Sequence, residues 1–162
     1  MKGVSPPARF LLQHPAHFYA LGFGTGLAPF APGTFGTLVA LPIAMVLWRH
    51  AGDAAFVGAI VILALIGIWA AAVAGRHLGV PDHGAIVCDE FVAYLIVLFF
   101  TGPDVVGILL GFVLFRIFDV LKPPPIRQLD ARWKNGWGVM ADDLLAAAYT
   151  LLALALLRWW IT

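Results

Sequence analysis

The stretch AAFVGAIVILALIGIWAAAVAG, residues 54–75, contains no charged side chain. Apolar residues occupy every face of a helix built from it, so it must be buried all round or face lipid. At ~1.5 Å per residue it reaches about 33 Å, enough to cross ~30 Å of hydrocarbon. Residues 35–48, FGTLVALPIAMVLW, are also uncharged. Three further apolar runs, at 91–101, 105–115 and 144–157, reach spanning length only by taking in neighbouring charges. The first must begin near Ile86 and carry Asp89 and Glu90 in its first turns. The second extends to Leu121 only across Arg116 and Asp119, and the third starts just after Asp142 and Asp143. The pattern predicts an all-α fold, a small polytopic membrane helix bundle of about five spanning helices in a single domain, residues 1–162. Residues 10–23 are expected to add a short amphipathic helix lying at the interface.

Composition excludes the main alternatives. Apolar residues make up 62% of the chain and charged ones 12%. An average soluble domain carries about a quarter charged residues, and disorder needs more charge still. Cys88 is the only cysteine, so no disulfide framework forms within the chain. A net charge of +1 is too small for a nucleic-acid-binding surface. Pro6, Pro7 and Pro15 interrupt any signal-peptide core after Lys2 and Arg9. The run Pro123, Pro124, Pro125 is a hard helix stop that turns the chain along the surface.

Five spans alternate the ends of the chain between two faces. One face receives Lys2, Arg9, Arg76, Lys122, Arg127, Arg132 and Lys134. The other receives Arg49, the turn at Asp104, and Arg158. The positive-inside rule makes the first face cytoplasmic. Seven of the nine acids fall on that same face: Asp82, Asp89, Glu90, Asp119, Asp130, Asp142 and Asp143. Ionisable residues inside or beside spanning helices are costly and mark function. A transporter would place its carboxylates near the midplane, whereas these gather at one end.

Four segments carry candidate chemistry. In GFGTGLAPFAPGTFGTL, residues 22–38, Gly33 and Thr34 stand where the first spanning helix begins. Thr34 could cap that helix, and free N–H groups there could cradle a phosphate; close helix packing by small residues explains the same pattern. In DHGAIVCDEF, residues 82–91, Asp89 and Glu90 project about 100° apart and can border one polar cluster. Hard oxygen ligands of this kind suit Mg²⁺, while acids at a helix start also favour the helix dipole. His83 could donate a proton or bind phosphate. In FRIFDVLKPPPIRQLD, residues 115–130, Arg116 and Asp119 share a helical face and can pair, and Lys122 continues the stripe. Arginine offers a planar fork to phosphate oxygens, and lysine a point charge. In NGWGVMADDLLA, residues 135–146, a Gly-Trp-Gly turn is expected to deliver Asp142 and Asp143 to the last span. Cys88 lacks the arginine that a cysteine phosphatase needs, since Tyr94 stands there, and it reads as a packing residue.

Taken together and in this order, these four segments resemble the phosphatidylglycerophosphatase A family of bacterial integral-membrane lipid phosphatases. Departures at Cys88 and within the proline run touch no charged position. The resemblance implies Mg²⁺-dependent hydrolysis of an anionic phospholipid, phosphatidylglycerophosphate, to phosphatidylglycerol and inorganic phosphate. It implies the bacterial inner membrane, with the active site on the cytoplasmic side. On this reading Asp89, Glu90, Asp142 and Asp143 hold metal, and Asp119 is a further ligand or orients Arg116. Arg116 and Lys122 neutralise charge on the phosphoryl group, and His83 protonates the leaving alkoxide. Gly33, Thr34 and Arg127 contact the lipid head group, and Asp130 fixes Arg127 or Arg132. Attack by water and an aspartyl-phosphate on Asp89 or Asp142 are both open at this point.

Overall fold

The computed structural model describes residues 5–161; Lys2, assigned above to the basic face, lies outside them. Among the described residues there is no strand. The helices are α1 (Pro15–Ala20), α2 (Pro32–His50), α3 (Asp53–Leu78), α4 (Cys88–Thr101), α5 (Val105–Leu121), α6 (Ile126–Arg132) and α7 (Gly136–Ile161). Single 3-10 segments, Ala8–Leu12 and Gly22–Leu27, flank α1.

α4 is the axle of the bundle. It packs against α2, α3, α5 and α7. Phe91, Val92, Ala93, Tyr94, Leu95, Val97 and Leu98 have no exposed surface at all. The apolar stretch that follows Asp89 and Glu90 therefore serves mainly protein packing, which is why a helix of only 14 residues suffices. At ~1.5 Å per residue α4 and α5 reach about 21 and 25 Å, short of a full hydrocarbon crossing. Three helices, α2, α3 and α7, are long and apolar enough to cross a membrane. The five long helices expected are all there, but the expectation that each spans is met by three. On α3, Val57, Val61, Ile62 and Leu65 are exposed apolar side chains, as a lipid-facing surface requires. Trp137 and Trp159 are exposed at opposite ends of α7, about 33 Å apart along the axis. That spacing matches the distance between the two interfaces of a membrane, where tryptophan is enriched.

Local chemistry explains the helix ends. α2 starts with Pro32 in its first turn, where the missing N–H costs nothing, after Ala31 in the left-handed conformation. Thr34 lies inside that turn and does not cap it, contrary to expectation. The Asp104 carboxylate caps α5 by accepting from the Gly107 N–H at 2.6 Å. α5 stops at Lys122, which adopts φ 44°, just ahead of the prolines. α7 begins earlier than expected: residues 136–138 are its first turn, and Asp142 and Asp143 follow inside the helix. Gly136 makes this start possible, because a Cβ there would strike the Ile68 carbonyl and Ala72 of α3. The interfacial helix expected over 10–23 is broken at Gln13–His14 and again at Phe23 and Gly24. Its centre, α1, docks on α3 with Ala16, His17 and Ala20 buried.

Candidate active site

The functional side chains come from the same end of four helices. Asp89 and Glu90 occupy the first turn of α4, and Asp142 and Asp143 the second turn of α7. Arg116 and Asp119 lie in the last two turns of α5, with Lys122 at its end. The first turn of α2 closes the fourth side. Gly33 lets it approach: a Cβ there would collide with the Glu90 carboxylate and press on Arg116. These groups border a cavity of about 530 Å³, whose lining also includes Asp82, Lys134, Ala31, Pro32 and Val120. The convergence of acids and bases at one face, expected from alternating spans, is thus present as geometry.

Two ion-pair networks organise the cavity. Arg116 pairs with Asp119 at 2.6 Å, reaches Glu90 at 3.9 Å, and donates to the Thr37 hydroxyl at 3.4 Å. Thr37 in turn donates to the Gly33 carbonyl at 2.8 Å. Lys122 pairs with Asp142 and, at 3.5 Å, with Asp130. Lys134 lies 3.1 Å from Asp130 and 4.0 Å from Asp82. Burial alone would lower the Lys122 pKa, but the charge and hydrogen bond of Asp142, with Asp130 and Asp143, raise it above the ordinary lysine value. Partial burial works to raise Asp130, yet Lys134 and Lys122 hold it below the usual carboxylate value. Both groups therefore stay charged near neutral pH.

Four carboxylate oxygens are left over. Asp89 Oδ1, Glu90 Oε2, Asp142 Oδ1 and Asp143 Oδ2 are buried without a hydrogen-bond partner. A buried unpaired carboxylate is among the costliest arrangements a protein can hold. Asp89, Glu90 and Asp143 each present an oxygen within 4.8 Å of the others. Three hard oxygens converging in this way, with no proton donor among them, fit a divalent cation. The residues present thus suit the metal the family resemblance implies.

Other sequence-derived candidates are placed differently. Asp142 stands beside the trio with one oxygen committed to Lys122. Asp119 is paired with Arg116 and lines the same cavity as the carboxylate trio. His83 is buried in a neighbouring hollow of about 140 Å³, and its Nδ1 accepts from the Ala85 N–H. It is not among the side chains lining the carboxylate cavity. Thr34 and Arg127 do not line the cavity either, and Arg127 is exposed. Asp130 engages Lys122 and Lys134, not Arg127 or Arg132, because α6 turns those arginines outward. Thr37 and Lys134 were missed as site residues. The only signal for Thr37 was its position one helical turn after Gly33, on the face that meets α4.

Residues 18–158 match the profile of the family described as Phosphatidylglycerophosphatase A. A Haemophilus influenzae protein named Phosphatidylglycerophosphatase A is 39% identical over 157 residues, 96% of each chain. An Escherichia coli protein of the same name is 37% identical over 145 residues, 86% of this chain and 81% of that one. No solved structure matches.

Proposed function

This chain belongs to the phosphatidylglycerophosphatase A family and is a phosphatase, and from that premise we propose that it hydrolyses phosphatidylglycerophosphate to phosphatidylglycerol and inorganic phosphate with the help of Mg²⁺. The observation that carries the reading is the set of four partnerless buried carboxylate oxygens beside two cations at one end of an apolar bundle. The bias of lysine and arginine supports placing that end at the cytoplasmic leaflet of the bacterial inner membrane. Phospholipid synthesis would supply the substrate there.

In this mechanism Asp89, Glu90 and Asp143 would hold the ion, with Asp142 Oδ1 next to them. A bound divalent cation supplies Lewis acidity toward the phosphoryl oxygens and makes a coordinated water more acidic. Asp119 and Thr37 both hold Nη1 of the Arg116 guanidinium, so the N–H groups on Nη2 and Nε are left to meet phosphoryl oxygens. Lys122, also in the cavity lining, adds a second positive charge to offset negative charge that builds as the phosphate ester bond breaks. In the first turn of α2 Pro32 has no N–H and the Thr34 N–H donates to the Ala31 carbonyl, which leaves the backbone of Gly33 in the cavity lining. Lys134, half exposed, adds a third cation to the cavity lining.

The test is phosphate release from phosphatidylglycerophosphate in detergent micelles. EDTA is expected to abolish release and Mg²⁺ to restore it. Asp143→Asn and Asp89→Asn are each expected to lower kcat by about 100-fold or more while circular dichroism stays unchanged. Full activity in EDTA, or in both variants, would refute the metal-centred reading. Phosphatidylinositol monophosphates in the same assay report whether the head group is discriminated.

A further inference from the structure

The segment between α3 and α4 separates two spaces. Pro81, Asp82, Gly84 and Ile86 line the carboxylate cavity. His83, Gly84 and Ala85 line the hollow of about 140 Å³ beside it. Pro32, in the first turn of α2, lines both. The two spaces therefore adjoin at Pro32 and at Gly84, which has no side chain. Gly26 lets the far wall of the hollow close in, because a Cβ there would strike the Ala85 carbonyl.

His83 is 5% exposed and holds the turn in this segment. Its Nδ1 accepts from the Ala85 N–H at 3.1 Å, and its carbonyl accepts from the Ile86 N–H at 2.8 Å. A ring nitrogen that accepts carries no proton, so the proton is on Nε2. That N–H has no partner among the described residues. The turn needs only the acceptor, which Asn or Asp ordinarily supplies at smaller volume. The imidazole thus brings a second polar group that the fold leaves unused.

The rest of the hollow says what that group would meet. Its lining holds no Lys, Arg, Asp or Glu among the described residues; Ala28, Pro29 and Pro32 are apolar, and Ser5 adds a hydroxyl. A phosphate would find one donor and no cation there, whereas Arg116, Lys122 and Lys134 stand in the cavity next door. A hydroxyl is uncharged and can accept from Nε2–H. We propose that His83 recognises a free hydroxyl on the carbon next to the esterified one, with the phosphate in the carboxylate cavity and the hydroxyl in the hollow. His83 is then a specificity residue for the head group and not a proton donor to the leaving oxygen. The assignment rests on the lipid-phosphatase reading above and adds what the site asks of the alcohol.

The purified protein is assayed with phosphatidylglycerophosphate and with a propanediol analogue that lacks only the middle hydroxyl of the head group. The wild-type protein is expected to prefer the hydroxylated substrate at least about tenfold in kcat/KM, because the analogue leaves the N–H unpaired. In His83→Phe that preference is expected to fall to within about twofold of unity. A general loss of activity from a disturbed turn lowers both rates and divides out of the ratio. His50→Phe, at the far end of α2, is expected to keep the wild-type ratio. Equilibrium binding of the two matching phosphonates, which are not hydrolysed, gives a second readout and is expected to show the same preference and the same loss. A wild-type protein that does not distinguish the two compounds, or a His83→Phe protein that still does, overturns the proposal. If the wild-type protein releases phosphate from neither compound, the phosphatase reading itself fails; failure of the hydroxyl assignment alone leaves that hydrolysis intact.

Discussion

One dependence in the site falls on a residue with no charge. Thr37 is fully buried, donates to the Gly33 carbonyl, and leaves a lone pair for Arg116. Asp119 grips the guanidinium from its own helix, one turn away, and Thr37 grips it from another. Two anchors on different helices hold a planar group far better than one, because a single pair leaves rotation free. Thr37→Val keeps the shape and removes the acceptor. A hydrogen bond to a charged group contributes about 1.5–3 kcal/mol, so kcat/KM is expected to fall at least about tenfold. The loss belongs mainly in kcat, since Arg116 meets charge that builds in the transition state. Thr37→Ser restores the hydroxyl and is expected to recover most of the rate. A Thr37→Val enzyme with wild-type kcat would show that Asp119 alone positions Arg116. The sequence marked Arg116 and Asp119 plainly, by their three-residue spacing on an apolar helix. It left Thr37 unmarked, because its partner is 79 residues away and a threonine inside a spanning helix commonly just bonds back to its own turn.

At the scale of an element, the docking of α1 on α3 turns on a histidine pair. His17 Nδ1 lies 2.9 Å from the Phe10 carbonyl, which can only accept, so Nδ1 carries the proton. His17 Nε2 must then accept from His77 Nδ1 at 2.7 Å. The Phe10 ring stacks on His17 at 3.8 Å and closes the site. Burial holds the His17 pKa below its ordinary value; the Phe10 carbonyl opposes this, and His77 and His14 add to it. The unfolded chain therefore binds more protons than the folded one once pH falls below about 6.5. Stability from the neutral ring is complete above that pH and drains away as pH falls through the lower folded value. The melting temperature in detergent is expected to drop between pH 7 and pH 5. His17→Leu is expected to flatten that dependence while lowering the value at pH 7; an unchanged slope would place the acid-sensitive group elsewhere. Hydrophobic periodicity foretold a helix here and missed its breaks. Gln13, His14, Phe23 and Gly24 interrupt it through backbone conformations whose partners, such as the Val87 N–H donating to the Ala20 carbonyl, are distant in sequence. α4 shows the converse: its apolar run was plain, but apolarity cannot say whether protein or lipid surrounds it.

Over the whole molecule, scarcity of charge and concentration of charge are one property. A bundle that exposes Val57, Leu65, Leu152 and Leu156 to lipid can carry few ionisable groups along its length. It keeps them where water reaches, and the cavity lies at that end. Alternating spans were enough to gather these residues at one face in the sequence. They could not give the pairings within it, which depend on helix rotation and on where α6 runs. The same arithmetic underlies the orientation proposed above, which can be tested on the intact protein. Cys88 is the sole cysteine, wholly buried, with its sulfur 3.7 Å from the Gly67 carbonyl in a packed core. Cys88→Ala removes one sulfur and is expected to retain activity within about twofold, as for a small packing residue. In that background Arg127→Cys stands on the exposed side of α6 and Arg49→Cys at the far end of α2. A membrane-impermeant maleimide added to intact spheroplasts is expected to label Arg49→Cys at once and Arg127→Cys only after the membrane is opened. The reverse pattern would put the carboxylate cavity on the outer face, out of reach of a lipid phosphate ester made inside the cell.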